Sequence, residues 1–253
     1  MKLHYTIYGD GAITFVLLHY FGGNKESWKW VTHYLSKNYK LVIITLPGFG
    51  TTPPLTDPSI YNFSKYINDC INELNLKNYV LCGHSMSAKL ILYATQVNKD
   101  NRPRGLVLIA PSPPTVEEMS EDEKNRMLNH PNRAECIITV ENSTIKNLKR
   151  KKLKTAIVSQ MEVHPMTWNW WIEVGMDNNI SARIKSIDVP SYVICSKDDP
   201  VISMNQIYDE VMPYLFRPRL IQLSGCGHLI PLESPRKLAK QLEKIGKAIA
   251  GNI

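Results

Sequence analysis

The sequence predicts an α/β fold, in which a mostly parallel β-sheet is flanked by helices and interrupted by one helical insertion. Short continuous apolar runs alternate with helical patterns in the first half of the chain, as expected for strands buried on both faces of a parallel sheet. No such run occurs in residues 112–188, after which the strand pattern resumes at Pro190. We therefore expect a core domain of residues 1–111 and 189–253, with residues 112–188 forming a helical cap.

Six strands are predicted from the apolar runs. They are Thr14 to His19, Leu41 to Leu46, Tyr79 to Cys82, Leu106 to Ala110, Ser191 to Cys195 and Arg219 to Leu223. Helices are predicted over residues 62–75, where apolar residues recur at helical spacing, and over residues 87–97. A last helix is predicted from Ser234, because serine is a good N-cap and Pro235 suits the first helical position.

The insertion is predicted to be helical from its capping signals. Thr115 with Glu118, and Ser120 with Glu123, have the spacing of capping boxes at helix starts. The insertion also holds the densest basic run of the chain, Lys149 to Lys154. Two interpretations of this run are open: a solvated helix face, or a surface that meets an acidic carrier protein.

Composition limits the possible function classes. Of 253 residues, 43% are hydrophobic and 21% charged, which excludes disordered, collagen-like and coiled-coil chains. The net charge is +7, but no basic stripe with interleaved aromatics predicts nucleic-acid binding. Five cysteines without a C-x-x-C pair favour neither disulfides nor a zinc site. No signal peptide or membrane span is predicted, so we expect a cytoplasmic protein without cofactor or metal.

Residues 83–87, Gly-His-Ser-Met-Ser, carry the strongest catalytic signal, because they lie between a predicted strand and a predicted helix. A G-x-S-x-G turn at such a junction is a nucleophile elbow, which lifts the serine hydroxyl clear of the sheet. The residues two before and two after the serine must be small, and Gly83 meets this need. Ser87 replaces the second glycine and is expected to crowd the turn slightly. Ser85 is therefore the candidate nucleophile.

A serine nucleophile needs a base and an acid that orients the base. His228 is the candidate base, because it lies in a glycine-rich loop just after the last predicted strand. The acid is expected after the preceding strand, where residues 196–200 are Ser-Lys-Asp-Asp-Pro. Asp199 is preferred over Asp198, since Asp199 directly precedes proline and apolar residues. Asp198 is then expected to be a solvated turn residue.

An oxyanion hole needs two backbone N–H groups directed at the developing negative charge. One is expected from Met86, the residue after the nucleophile. The other is expected from residues 19–23, His-Tyr-Phe-Gly-Gly, whose glycines let the backbone approach a substrate closely. In that loop Phe21 is the preferred donor and Tyr20 the alternative, while His19 is expected to brace the loop.

Five features in chain order resemble the α/β-hydrolase superfamily. They are the loop at 19–23, Pro-Gly-Phe-Gly at 47–50, Gly-His-Ser-Met at 83–86, Asp-Pro at 199–200 and Gly-His at 227–228. The order serine, aspartate, histidine is also that of the superfamily. The resemblance covers essentially the whole chain, the cap matching only in position and length. It is greatest to the small cytoplasmic esterases, a group with peroxidase-like members. It implies an eight-stranded, mostly parallel sheet with a helical cap over the active site.

The resemblance implies a serine hydrolase that acts on a small carboxylic ester or thioester through an acyl-enzyme. Serine at position 85 excludes the branches with an aspartate nucleophile. Alternatives on the same three residues are a C–C bond hydrolase, a lactonase, a perhydrolase, a lyase, or a ligand-binding protein of low turnover. An additional lysine near the three residues would favour a lyase, but Lys89, on the helix after Ser85, is expected to face away.

Pocket walls are expected mostly from the cap. Tyr20, which replaces a glycine common in the superfamily, is expected to narrow the pocket, and Trp168 and Trp171 are candidates to line it. The alternative for the tryptophans is packing of cap on core, because adjacent helical residues point in different directions. The expected partner is the small-molecule ester alone, and the expected state is a monomer or homodimer.

Overall fold

Seven strands form one sheet in the computed structural model, which describes residues 2–185 and 187–251. They are β1 (Tyr5–Tyr8), β2 (Thr14–Leu18), β3 (Lys40–Ile44), β4 (Tyr79–His84), β5 (Gly105–Ile109), β6 (Ser191–Ser196) and β7 (Arg219–Leu223). Their order across the sheet is β1-β3-β2-β4-β5-β6-β7. Only the β1–β3 pair is antiparallel among these neighbours. The predicted α/β class with a mostly parallel sheet is confirmed.

The sheet differs from the expected one in strand number, with seven strands in the described residues instead of eight. All six strands predicted from apolar runs are present. The seventh, β1, lies at the edge of the sheet, and its last two residues are exposed. An edge strand of this kind has no continuous apolar run, so periodicity does not reveal it. Residues 2–4, which precede β1 in the described chain, form no strand.

Ten helices are found among the described residues. They are α1 (Lys29–Leu35), α2 (Ile60–Glu73), α3 (Met86–Val97), α4 (Glu121–Leu128), α5 (Arg133–Asn142), α6 (Arg150–Met161), α7 (Pro165–Trp170), α8 (Met204–Gln206), α9 (Ile230–Glu233) and α10 (Pro235–Ala250). Shorter 3-10 turns cover Lys25–Trp28 and Met212–Tyr214, and π-helical turns cover Trp171–Gly175 and Ile207–Val211. Helices α4 to α7 all lie in the predicted cap segment.

Both faces of the sheet are covered, which explains the continuous apolar runs. In β2, Val16 and Leu18 pack with residues of α2 and α3, and Phe15 and Leu17 pack with residues of α1 and α10. All four side chains are fully buried. The carboxyl ends of the central parallel strands therefore meet at one edge of a rigid layer, where residues after β2, β4 and β6 come close together.

The two predicted capping boxes have different outcomes. Ser120 precedes α4, and its hydroxyl accepts a hydrogen bond from the backbone N–H of Glu123 at 3.3 Å. The helix predicted to begin at Thr115 is absent, so that prediction is wrong. The hydroxyl of Thr115 donates to the carboxylate of Glu210 at 2.7 Å instead of capping a helix.

Lys89 on α3 is fully buried beneath the predicted cap segment. Its ammonium donates to the backbone oxygens of Thr115, Met176 and Asn178 at 2.9, 3.0 and 3.2 Å. These three contacts join the helix that follows Ser85 to both ends of the cap segment. Burial lowers the pKa of Lys89 to about 8, although the negative charges of nearby carboxylates raise it in part.

The basic run on α6 is mostly a solvated face. Lys152 is the exception: its ammonium donates to the backbone oxygen of Leu232 and lies 5.6 Å from the centre of the Trp30 ring. The other four cations of the run are exposed. Among the described residues, no helix combines the length and apolar composition needed to cross a membrane.

Candidate active site

Ser85 lies in a sharp turn between β4 and α3. Its backbone has φ 55° and ψ −121°, a region that residues other than glycine rarely occupy and that is most often found at functional sites. A Cβ atom on Gly83 would lie 2.5 Å from the backbone oxygen of Ser87, so only glycine fits there. Ser87 fits because its buried hydroxyl donates to the backbone oxygen of His19. The backbone geometry is that of a nucleophile elbow.

The side chains predicted as nucleophile, base and acid lie in direct contact. His228 Nε2 is 2.9 Å from Ser85 Oγ, and His228 Nδ1 is 3.0 Å from Asp199 Oδ2. The side chains of His228 and Asp199 are 6% and 1% exposed, so water barely reaches the pair. With the proton on Nδ1 donated to the carboxylate, Nε2 is free to accept the proton of the serine.

The two adjacent aspartates have different partners. Asp199 Oδ1 accepts hydrogen bonds from the backbone N–H groups of residues 201 and 202 at 2.8 and 3.0 Å, which leaves Oδ2 for His228. Asp198 Oδ2 accepts from the backbone N–H of Gly225 at 2.7 Å. Asp198 lies in a turn, as expected, but it is only partly exposed, and its carboxylate also holds the loop that precedes His228.

The electrostatics favour an ion pair of His228 and Asp199. Burial lowers the pKa of His228, but the charge and hydrogen bond of Asp199 outweigh it, helped by the charges of Glu117 and Glu233, so the pKa lies above its ordinary value. Burial raises the pKa of Asp199, but the charge and hydrogen bond of His228 and two backbone N–H groups bring it below its ordinary value. The site thus stabilises an imidazolium next to a carboxylate, the charge state of a base that has taken a proton.

Two side chains that the sequence motifs did not identify hold His228 in place. His84 Nε2 lies 2.9 Å from the backbone oxygen of His228. Glu233 Oε1 accepts from the backbone N–H of Gly227 at 2.8 Å, and its Oε2 accepts from the N–H groups of residues 145 and 146, each at 3.1 Å. Glu233 therefore joins the histidine loop to the segment between α5 and α6.

The loop after β2 is braced by His19. Its Nδ1 lies 2.9 Å from the backbone oxygen of Tyr20, and its Nε2 accepts from the backbone N–H of Leu46 at 3.2 Å, so the proton is on Nδ1. Gly23 N–H also donates to the Tyr20 oxygen at 2.9 Å. Since C=O and N–H of a trans peptide point in opposite directions, the N–H of Phe21 points away from both donors. Burial lowers the pKa of His19 to about 4, so its ring stays neutral.

The two predicted oxyanion donors remain available. In the described part of the chain, the backbone N–H groups of Phe21 and Met86 form no backbone hydrogen bond. Phe21 and Ser85 line the same cavity. Both N–H groups are therefore free of backbone partners and can donate to a substrate oxygen, with Tyr20 as the alternative to Phe21.

Ser85 and His228 open on a cavity of about 470 Å³, a size suited to a small ligand. Its apolar wall comprises Tyr20, Phe21, Met119, Met127, Val140, Trp171, Met176 and Leu229. Three carboxylates, of Glu117, Glu118 and Glu123, also line it. The capping-box motifs identified Glu118 and Glu123 only as residues of helix starts, and no motif predicted that the three glutamates line the cavity.

The predicted pocket residues separate into two groups. Tyr20 and Trp171 line the cavity, whereas Trp168 does not. Trp168 is 1% exposed and stacks between Phe21 and His130, with ring centres 4.2 and 4.1 Å away. It therefore packs behind Phe21 and supports the loop after β2, in line with packing of cap on core.

A model of a known protein family, described as the alpha/beta hydrolase family, matches residues 15–241. The chain belongs to the alpha/beta hydrolase family. This confirms the family resemblance inferred from the five sequence motifs. The matched residues include both the strained turn at Ser85 and helices α4 to α7.

Individual proteins are similar to this alpha/beta hydrolase. Over 208 residues it is 26% identical to a pimeloyl-(acyl-carrier protein) methyl ester esterase of Legionella pneumophila, covering 79% of this chain and 81% of that protein. An 86-residue stretch is 35% identical to the (E)-2-((N-methylformamido)methylene)succinate hydrolase of Acinetobacter baylyi, covering 34% of this chain and 32% of that protein. The esterase EaEST from Exiguobacterium antarcticum shares the fold, with a TM-score of 0.87 at 16% identity over 97% of this chain and 96% of that one.

Proposed function

We propose that this alpha/beta hydrolase cleaves small carboxylic esters or thioesters through a covalent acyl-enzyme on Ser85. The observation that carries the proposal is the continuous contact from Ser85 Oγ through His228 to Asp199, at a cavity of small-molecule size. Two of the similar proteins are named as esterases, one of them a methyl ester esterase, and this supports ester hydrolysis as the reaction class.

Acylation begins when Ser85 Oγ attacks the carbonyl carbon of the ester and His228 Nε2 accepts the serine proton. Asp199 accepts the hydrogen bond of Nδ1–H and stabilises the imidazolium. The backbone N–H groups of Phe21 and Met86 donate to the oxyanion, and each such donor typically lowers the barrier by about 3 kcal/mol. His228 then gives the proton to the leaving alcohol or thiol, and the acyl group stays on Ser85.

Deacylation repeats these steps with water as the nucleophile. His228 accepts a proton from water as its oxygen attacks the acyl carbon, and the same two N–H groups stabilise the second oxyanion. The proton then returns to Ser85 Oγ as the carboxylic acid leaves. The site needs no movement between the two halves, because nucleophile, base and acid are already in contact.

Hydrolysis is preferred over lyase chemistry because of where Lys89 lies. No lysine occurs among the described residues that line the cavity. The ammonium of Lys89 is directed at backbone oxygens of the cap segment instead. C–C bond hydrolysis, lactone hydrolysis and perhydrolysis use the same nucleophile and differ in substrate, so a panel of substrates separates them from ester hydrolysis.

Labelling with a fluorophosphonate, followed by intact-mass measurement, tests the proposal. We expect one adduct on the wild-type protein and none on Ser85→Ala. Ser64→Ala is a matched control, because Ser64 is a buried serine whose hydroxyl donates to the backbone oxygen of Leu90 on α3, away from the cavity. It should keep the adduct. A p-nitrophenyl ester series then gives the preferred acyl length. No adduct on wild type would favour a ligand-binding protein instead.

The setting of the reaction stays a prediction from the sequence. We propose a cytoplasmic enzyme that acts as a monomer or homodimer on a free small molecule. Nucleic acid, membrane and cofactor have no part in the proposed reaction.

A further inference from the structure

The cavity around Ser85 carries more negative charge than the proposed chemistry requires. Three glutamates line it, with no lysine or arginine among its described lining residues. Glu123 accepts two hydrogen bonds from the guanidinium of Arg126, at 2.5 and 2.8 Å, and it shares this cation with Glu135, which lies 3.0 Å from it. Glu117 and Glu118 form no ion pair in the described chain. Of these two, Glu118 is exposed and Glu117 is buried.

Glu117 presents an oxygen that lacks a donor. The residue is 8% exposed. One carboxylate oxygen accepts from the hydroxyl of Ser112, and the other has no hydrogen-bond donor within the described residues. The backbone N–H of Glu117 donates to the oxygen of Met176 at 3.0 Å, which fixes the segment that carries the carboxylate. This second oxygen is not among the buried polar atoms of the described residues that lack a partner, so it is accessible from the cavity, where water or a ligand can donate to it.

Lys89 does not donate to this oxygen. Its charge interacts with that of Glu117, but its ammonium donates to three backbone oxygens of the cap segment. Lys89 is also not among the residues that line the cavity. Glu117 therefore faces the cavity without a cation bonded to it.

The charge of Glu117 extends to the reaction centre. Burial lowers the pKa of His228, and Glu117 is one of the carboxylates whose charges more than offset this effect. The same charge opposes any second negative charge in the cavity, both the oxyanion formed during catalysis and an anionic group on the substrate. A cationic group on the substrate would neutralise Glu117 and remove this penalty.

We propose that Glu117 is a specificity-determining residue that receives a protonated amine of the substrate, so that amino-substituted esters are preferred to neutral or anionic ones. This inference rests on the proposed function, because the selection acts on the ester that is cleaved at Ser85. The amine N–H would donate to the oxygen of Glu117 that lacks a donor, while Ser112 keeps the other oxygen in place.

Two pairs of esters with matched shapes test the preference. On the acyl side, methyl 4-(dimethylamino)butanoate is compared with its carbon isostere, methyl 5-methylhexanoate. On the alcohol side, 2-(dimethylamino)ethyl butanoate is compared with 3-methylbutyl butanoate. The amines are protonated at neutral pH, so each pair differs in charge and in one N–H donor. We expect kcat/KM to favour the amine by about tenfold or more in at least one pair, and monomethyl glutarate to be the poorest substrate.

The variant Glu117→Gln removes the charge but keeps the side-chain length and an oxygen for Ser112. We expect the amine preference to fall to within about twofold, while an unchanged circular dichroism spectrum and unfolding midpoint show that the variant is still folded. Glu121→Gln makes the same chemical change at an exposed residue of α4 outside the cavity, and it should keep the full preference.

Three outcomes would refute the role of Glu117, and one of them would also refute the proposed ester hydrolysis. An absence of amine preference in both wild-type pairs refutes the role of Glu117, as does a preference that Glu117→Gln leaves unchanged. In either case, Ser85-dependent turnover of p-nitrophenyl acetate would leave ester hydrolysis standing. If no ester of any kind is cleaved, the inference and the proposed function fail together.

Discussion

The hydroxyl of Ser87 donates a hydrogen bond to the backbone oxygen of His19. This bond joins α3, the helix after the predicted nucleophile, to the loop that carries the Phe21 N–H. The residue that departs from the usual glycine pattern therefore connects the two parts of the predicted oxyanion hole. Both Ser87 and His19 are fully buried, so water does not compete for the bond.

Ser87→Ala should lower kcat for p-nitrophenyl acetate roughly tenfold with little change in KM. The reason is that the His19 oxygen loses its donor and the Phe21 N–H is held less well, which affects the oxyanion more than the ground state. The free energy of unfolding should fall by about 1–3 kcal/mol. Ser64→Ala removes a comparable buried bond, to the backbone oxygen of Leu90, and should lower stability without lowering kcat. Equal kcat values for both variants would disprove the connection.

Asp199→Asn should reduce kcat on the order of 1,000-fold or more, because the neutral amide neither stabilises the imidazolium nor enforces the proton on Nδ1 of His228. Asp198→Asn should cost less than about tenfold, since asparagine still offers an oxygen to the Gly225 N–H. Steady-state kinetics on one ester compares the two variants. A larger loss of kcat for Asp198→Asn than for Asp199→Asn would show that Asp198, not Asp199, is the acid that orients His228.

The pH dependence of kcat/KM should show one acidic limb with its midpoint above pH 6.5. His228 must be neutral to accept a proton, and its pKa is raised above the ordinary value mainly by Asp199, against the effect of burial. Activity is therefore lost as the pH falls through this raised pKa. Glu117→Gln should move the midpoint to lower pH, because it removes a negative charge that favours the imidazolium. A wild-type midpoint below 6.5 would contradict the assignment of His228.

Stability should fall as the pH drops below 6.5, because burial lowers the pKa of three histidines, most strongly those of His19 and His84 and less that of His130. Burial lowers the pKa of His19 to about 4 and that of His84 to about 3. Below pH 6.5 the unfolded chain binds protons that these two residues do not bind when folded, so each reduces the free energy of unfolding by up to about 1.4 kcal/mol per pH unit. The pKa of His228 is raised in the folded state, so His228 binds a proton on folding around pH 6.5 and offsets part of the loss near that pH.

Urea unfolding between pH 7 and pH 5 measures this slope. His84→Asn removes one of the two most strongly shifted groups and should make the slope shallower, with the wild-type protein as reference. A free energy of unfolding that is independent of pH over this range would show that the two rings are not held neutral.

The sequence predicted the central strands that are buried on both faces, the half-exposed edge strand β7, and the residues that follow them. Continuous apolar runs predict β2 to β7, and the chain positions just after β4, β6 and β7 hold Ser85, Asp199 and His228. β1 was missed because, partly exposed at the edge of the sheet, it has no continuous apolar run. The local signal at Thr115 failed because a distant carboxylate, that of Glu210, takes its hydroxyl.

The residues that support the site, Glu233, His84 and Glu117, were not predicted from the sequence, because their roles depend on contacts between distant parts of the chain. Glu233 and His84 act on the backbone of the histidine loop, and Glu117 faces the cavity only because the cap segment folds over the sheet. No spacing along the chain encodes these contacts. The one local signal was the position of His84 inside the Ser85 motif, directly before the nucleophile, where the structure places it as the last residue of β4.

Glu233 has a consequence for how a substrate enters. One of its oxygens binds the N–H of Gly227 and the other binds the segment between α5 and α6, while the N–H of His228 donates to the oxygen of Ser143 at 2.9 Å. Lifting that edge of the cap would pull the base out of line with the nucleophile. Glu118 and Val201 are exposed cavity-lining residues outside this set of contacts, so we expect a substrate to enter beside them rather than by movement of the segment between α5 and α6. We therefore expect substrate entry and the alignment of His228 with Ser85 to depend on different sides of the cavity.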